Sequence, residues 1–398
     1  EYATLRTNLS DRMAYPGMNR VTRTQHRLAA LALLLTIALL VTGLATVTAS
    51  QPVQQDVGRA PPVQSPMLAS AIDVEPDPLV AEMLAQVDTA TLRQYEEWLT
   101  GEEPALIGGE PFVIATRYTF SETHIHKATQ LAYQHLEALG LETEYHQWER
   151  PTYPNVIATQ EGLIDPDAIY IICAHLDDLP AGSIAPGADD NASGSTGVLV
   201  AADILSQYDF GCTLKFALWT GEEQGMRGSK AWAQRASDQR LDIRGVLNMD
   251  MIAYDSDDHP DVDLHARSTL TGSVALADLF AGVVDAYELD LVPEILFDNP
   301  LGYRSDNLSF WDEDYVAILA IEDYGDFNPT YHTVNDKLST LNMPYMTEVV
   351  KASLATLVHN SDCLIDGGIG YLDGHVTEAA GAPVAGATLT MRKTAGQT

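Results

Sequence analysis

Basic residues are scarce in this 398-residue chain: 22 Lys and Arg stand against 56 Asp and Glu, a formal charge of −34. So acidic a surface repels phosphate backbones and anionic headgroups, which excludes nucleic-acid binding and a polybasic membrane-surface role. Cysteine is scarcer still. Cys173, Cys212 and Cys363 cannot staple a fold of this size, and no Cys-x-x-Cys spacing exists to build a thiolate zinc site. Export would permit one disulfide, while Cys173 sits in an apolar run and reads as a small buried hydrophobe. Neither glycine (28) nor proline (20) departs from average usage, so collagen-like and wholly disordered readings fall away. The length suffices for one large domain with an appendage, or for two or three ordinary domains.

One long uncharged apolar run is present, at 28–49. Met18, Arg20, Arg23, His26 and Arg27 precede it, and Val47-Thr48-Ala49 closes it with small residues. That order is the order of a secretory signal, so 1–49 is expected to be a signal peptide with translation starting at Met18 or Met13. The remainder is expected to be secreted or periplasmic. A retained signal would act as a membrane anchor, because about 20 apolar residues can span a bilayer; otherwise no stable membrane partner is expected. Segment 1–49 carries a net +3, which leaves −37 for the exported part. Adaptation to high salt and an ordinary acidic exoprotein both fit that figure.

Residues 50–78 are rich in Pro and Gln and read as a linker or propeptide. Val80, Met83, Leu84, Val87, Leu92, Tyr95 and Leu99 then fall on one helical face, stopped by Gly101. A second amphipathic helix is expected over 122–139, ended by Gly140. Strands are expected at 155–158, 169–174, 214–219, 243–249 and 316–321. Helices are expected at 195–207, 226–235, 273–287 and 345–360. Such alternation predicts an α/β fold, a mostly parallel mixed sheet with helices on both faces, spanning 79–363. Ligands in such folds bind beyond the carboxyl ends of the strands. The tail differs in kind. Residues 374–391 read as a β-hairpin, so 367–398 is expected to be the start of a truncated β-sandwich domain.

Polar groups cluster where that rule puts a site. His175 and Asp177 follow the strand at 169–174. Gly187-Ala188-Asp189-Asp190-Asn191-Ala192-Ser193-Gly194 leads into a helix. Gly221-Glu222-Glu223-Gln224-Gly225 follows the strand ending at Trp219, Asp250 follows Met249, and Tyr331-His332-Thr333 follows the strand at 316–321. Two imidazoles with three carboxylates suit zinc and exceed the needs of one ion, so two metals sharing a ligand are expected. Adjacent Glu222 and Glu223 point differently, so that one can bind metal while the other acts as general base.

The runs AHLDD, GADDNASG, GEEQG, NMD and YHT, in this order over roughly 79–363, resemble the secreted dizinc aminopeptidases of metallopeptidase family twenty-eight, a zinc-exopeptidase fold. The resemblance implies two Zn2+ per chain, one on His175 and Asp250 and the other on Glu223 and His332, bridged by Asp190. It implies Glu222 as the general base activating a metal-bridged water, Asp177 holding the His175 ring, and Tyr331 stabilising the oxyanion. Peptides with a free N-terminus would be the substrates. Many members read Ser-Asp-His-x-x-Phe where this chain has Ser305-Asp306-Asn307-Leu308-Ser309-Phe310. The tail resembles a carboxypeptidase regulatory-like domain, which implies no chemistry.

Alternatives remain open. A dizinc carboxypeptidase or amide deacylase reuses this ligand set, but its usual lid domain does not fit between Asp250 and His332. A non-catalytic peptidase-like binding domain would have lost ligands. A cyclising enzyme with a single zinc would leave half the ligand set idle. The acidic loop Asp255-Ser256-Asp257-Asp258-His259-Pro260-Asp261 could hold Ca2+, though it lacks the pattern of an EF-hand. Asp189 is read as a loop residue, His124 and His126 as surface residues, and the sequons at Asn191 and Asn307 as fortuitous.

Overall fold

The computed structural model describes residues 72–257 and 259–365. The signal segment, most of the linker and the expected hairpin at 374–391 lie outside the described residues. Four strands form the middle of an eight-stranded sheet: β5 (Asp165–His175), β6 (Cys212–Trp219), β7 (Asp242–Met249) and β10 (Ala317–Glu322). They run parallel in the order β6-β5-β7-β10. Strands buried on both faces must be apolar throughout, and the run from Ala168 to His175 is buried without interruption. That is why these strands were visible in the sequence as unbroken apolar runs.

The flanks mix directions. β4 (Asn155–Gln160) pairs antiparallel with β6, and β3 (Glu142–His146) with β4. On the other side β8 (Asp261–Ala266) is antiparallel to β10, and β9 (Val292–Phe297) is parallel to β8. A small hairpin of β1 (Ala105–Ile107) and β2 (Glu110–Phe112) stands apart. Strands β1, β2, β3, β8 and β9 were not anticipated. β3 is a polar edge strand, β8 alternates Asp, Val, Asp, Leu, His, Ala, and β9 carries Pro293.

Helices cover both faces. One face packs α3 (Thr123–Ala138), α4 (Gly194–Leu205), α6 (Thr271–Ala286) and α8 (Met343–Ser361) over the larger apolar core. The other packs α5 (Arg227–Gln239) and α7 (Asn307–Trp311) over a smaller core built around Trp219, Trp232 and Phe310. The continuous helix expected from Val80 to Leu99 is two helices, α1 (Pro78–Leu84) and α2 (Thr89–Leu99). Asp88 breaks the run, because its carboxylate accepts from Thr91 N at 3.1 Å and caps the second helix. A Cys212–Cys363 disulfide joins the start of β6 to the chain beyond α8, while Cys173 is buried and free, as its surroundings indicated. Among the described residues no helix is long and apolar enough to cross a membrane.

Candidate metal centre

Parallel strands align their carboxyl ends, so the four central strands deliver their following residues to one edge. His175 ends β5, Glu222 and Glu223 follow β6, Asp250 follows β7, and His332 lies in the loop after β10. Asp190 arrives on the loop that precedes α4. Two glycines allow that loop to sit so close. A Cβ on Gly194 would meet Met249 O at 2.5 Å, and Gly187, at φ +48°, would bring one to 2.7 Å from Asp178 Cβ.

All five expected ligands converge, in two groups that share one residue. His175, Asp190 and Asp250 each offer a ligand atom within 4.8 Å of the others, as do Asp190, Glu223 and His332. Asp190 faces both ways: Oδ1 is 3.3 Å from His175 Nε2, and Oδ2 is 3.1 Å from His332 Nε2. Asp250 Oδ1 lies 3.2 Å from His175 Nε2, and Glu223 Oε2 lies 3.1 Å from His332 Nε2. His332 adopts φ +56°, a costly conformation for a residue with a Cβ and one common at functional sites.

The donor set suits zinc. Although His332 Nε2 is so near, Asp190 Oδ2 is buried without a well-formed hydrogen bond, and so is Glu223 Oε1. Carboxylate oxygens buried without partners in a group that also offers imidazole nitrogens suit the ligands of a common ion. The electrostatics agree. Burial pulls His332 down, yet its contacts with Asp190 and Glu223 carry it up to about 10. Burial pushes Asp190 up, but its contacts with His175 and His332 and their charge hold it below the usual carboxylate range. Burial lifts Glu223 to about 8, helped by the Asp190 charge. Carboxylates gathered in this way favour a positive charge beside them, which a bound Zn2+ would supply.

Glu222 stands beside these groups. Burial drives it well above the usual carboxylate range, opposed by His175 and reinforced by Asp306, Asp250 and Glu223. Asp177 does hold the His175 ring, by its main-chain carbonyl. His175 Nδ1 donates to the Asp177 carbonyl oxygen at 3.0 Å, while the Asp177 carboxylate is 4.0 Å from that nitrogen. The carboxylate instead accepts from Glu222 N at 3.2 Å and from Thr119 Oγ1 at 2.6 Å, so it fixes the backbone of Glu222. Tyr331 stacks on His332 with ring centroids 3.6 Å apart, and is 40% exposed.

Several supporting residues carried no signal in the sequence. Asp336, 1% exposed, accepts Asp189 N and Asp190 N, each at 3.0 Å and one per oxygen. Arg117 is fully buried and donates to the carbonyls of Leu176, Leu99, Pro186 and Gly187 at 2.6–2.8 Å. It thereby ties the Asp190 loop to the end of β5. Asp189 lies in the short helical turn Ala188–Ser193 and in neither ligand group, accepting from Ala253 N and Asn328 Nδ2 at 3.0 Å. At the departure from the common motif, Asp306 accepts from Ser229 Oγ, and Asn307 Nδ2 donates to Gly302 O at 2.8 Å. Asn191 and Asn307 are both fully buried, so neither sequon is accessible in the folded chain. The acidic loop does gather carboxylates, with Asp255 and Asp257 joined by Asp326.

Comparison with known proteins fits this geometry. The chain is 30% identical over 261 residues to leucine aminopeptidase 1 of Ajellomyces dermatitidis, covering 60% of this chain and 66% of that one, just under two thirds of its length. It is 32% identical over 188 residues to a probable leucine aminopeptidase 2 of Aspergillus oryzae, covering 45% of this chain and 36% of that one. Among solved structures, the LapA aminopeptidase of Legionella pneumophila superposes with a TM-score of 0.60 at 22% identity, over 73% of this chain and 77% of that one. A glutaminyl cyclase of Fimbriiglobus ruber superposes at 0.55 and 18% identity, over 68% and 95%. These likenesses establish the fold, which two differently named enzymes share, and do not choose between them. The sequence profile of peptidase family M28 matches residues 155–357, just over half the chain, and the chain belongs to that family.

Proposed function

We propose that this protein is a secreted aminopeptidase that uses two zinc ions to remove the N-terminal residue of peptides. One observation carries the reading: Asp190 presents one carboxylate oxygen to each of two otherwise separate ligand groups. His175 and Asp250 would hold one ion, Glu223 and His332 the other, and Asp190 both. Bound there, zinc supplies a Lewis acid for the scissile carbonyl and lowers the pKa of a water. The remaining chemistry belongs to the chain. Glu222 takes a proton from the attacking water at its carboxylate and returns it to the leaving amine. Asp177 keeps Glu222 in place through its backbone N–H. Tyr331 donates its hydroxyl to the carbonyl oxygen as charge develops. The carboxylates Glu222, Glu223, Asp190 and Asp250 make this a cation-favouring site, which suits the ammonium of a free N-terminus.

The rival with a lid domain finds no support. Between Asp250 and His332 the chain is spent on β8, α6, β9, α7 and β10, all within the sheet and its covering helices. Export is supported by the apolar segment at 28–49 and by the Cys212–Cys363 disulfide. The deciding experiment compares a leucine anilide with its N-acetylated form on zinc-loaded protein. Hydrolysis of the free form, lost on chelation and restored by zinc, is expected. Preference for the blocked form would refute the reading.

A further inference from the structure

A second cluster of carboxylates stands beside β10, outside the groups already assigned. Asp263 on β8 and Glu294 on β9 are register partners across parallel strands, and Asp323 follows β10 directly. Each of the three offers an oxygen within 4.8 Å of the others. Asp263 is 2% exposed, and its Oδ1 is buried with no hydrogen-bond partner. Its other oxygen has only Tyr324 N, at 3.4 Å. Burial and the neighbouring Asp323, Glu294 and Asp261 carboxylates push its carboxyl up to about 8. A buried carboxyl oxygen left unpaired among like charges is costly, so the native protein is expected to satisfy it.

We infer that Asp263, Glu294 and Asp323 bind one calcium-sized divalent cation. Three carboxylates with no nitrogen or sulfur among them suit a hard ion, and calcium tolerates the irregular geometry that adjacent strands impose. Water would fill the remaining positions, since Glu294 and Asp323 are only half-buried. The neighbouring group of Asp255, Asp257 and Asp326 is a weaker candidate, because Ser256 already donates to both oxygens of Asp326 at 2.6 Å. The cation would do more than neutralise charge. Asp323 caps the turn Tyr324–Asp326. From that turn the rings of Tyr324 and Phe327 stack, Phe327 meets Tyr331 edge-on, and Tyr331 stacks on His332. An ion fastening Asp323 to β8 and β9 would therefore hold the segment that presents His332.

Terbium luminescence tests this on the full, zinc-loaded chain, because Tb3+ replaces Ca2+ on oxygen ligands and Tyr324 stands beside Asp263 to sensitise it. Saturable emission displaced by Ca2+ is expected from the unaltered protein. Asp263→Asn and Glu294→Gln should each weaken Tb3+ binding about tenfold or more, since affinity follows ligand charge. Asp257→Asn should leave it unchanged. Calcium should also raise the Tm of the zinc-loaded protein by a few degrees, and not that of the Asp263→Asn form. Elemental analysis showing unaltered zinc in every variant keeps the zinc ligands out of the signal. No calcium-displaceable emission, or emission that survives Asp263→Asn and Glu294→Gln, would overturn the assignment, as would loss in Asp257→Asn alone. No substrate is used, so this result and that of the anilide comparison stand or fall separately.

Discussion

Replacing Asp336 should loosen the zinc site from a position that touches no metal. Its two oxygens accept Asp189 N and Asp190 N at 3.0 Å each, in a pocket where the residue is 1% exposed. Asp336→Asn keeps the size and one acceptor, but turns an amide N–H against a backbone N–H. One buried donor is then unsatisfied, at about 1–3 kcal/mol. Asp336→Ala strands both donors and should cost about twice that, a large share of the roughly 5–15 kcal/mol that holds a domain folded. The bonded backbone is that of Asp190 itself, whose oxygens face both ligand groups at once. Part of the loss should therefore appear as zinc affinity, about 10–100-fold in Asp336→Asn, as for other groups that orient metal ligands. Urea unfolding of the metal-free protein gives the first quantity, and competition with a chromogenic chelator under folding conditions gives the second. A destabilised Asp336→Asn protein that binds zinc as tightly as the parent would refute the positioning argument and leave Asp336 a purely structural residue.

Two further outcomes follow from the same geometry. Glu222→Gln should keep its zinc content while turnover falls by about 10²–10⁴-fold or more, because the amide cannot accept a proton; near-normal turnover would remove Glu222 as the base. The metal-free protein should lose Tm between about pH 5 and about pH 9. Burial, aided by neighbouring carboxylates, raises Asp306 to about 7 and Glu223 and Asp336 to about 8, while the Asp190 and Glu223 contacts raise His332 to about 10. A group raised on folding contributes stability below its unfolded pKa and loses it as pH climbs through the folded value, so all four act in one direction. Zinc would take the place of the protons on Glu223 and His332 and should flatten the slope; calorimetry showing a metal-free Tm that climbs over this range would contradict the sign.

What the sequence made legible follows from where each residue sits along the chain. His175 ends an apolar strand buried on both faces, Glu222, Glu223 and Asp250 follow two others, and such strands announce themselves as runs. Asp190 announces itself through a glycine-bounded acidic loop, and His332 through its place after the last central strand. Arg117 and Asp336 lack any such marker. Arg117 comes from an extended segment between β2 and α3, and it matters only because four carbonyls distant in sequence close around it. Asp336 pairs with backbone 146 and 147 residues away, a separation at which local pattern carries no information. The way Asp177 holds the His175 ring was hidden for a related reason. The resemblance implied the contact, but whether carbonyl or carboxylate meets the ring depends on a backbone path that a motif does not record. The missed strands show the same limit on the scale of the sheet. β8 and β9 alternate or interrupt their apolar residues with Asp, His, Glu and Pro, and the polar positions among them, Asp263 and Glu294, are the ones that meet across the pairing. A polar residue facing inward from a flanking strand weakens the strand's signature in the sequence and at the same time marks where the folded chain has an unpaired charge to satisfy. The functional residues hardest to read are thus those whose partners exist only after the sheet has formed.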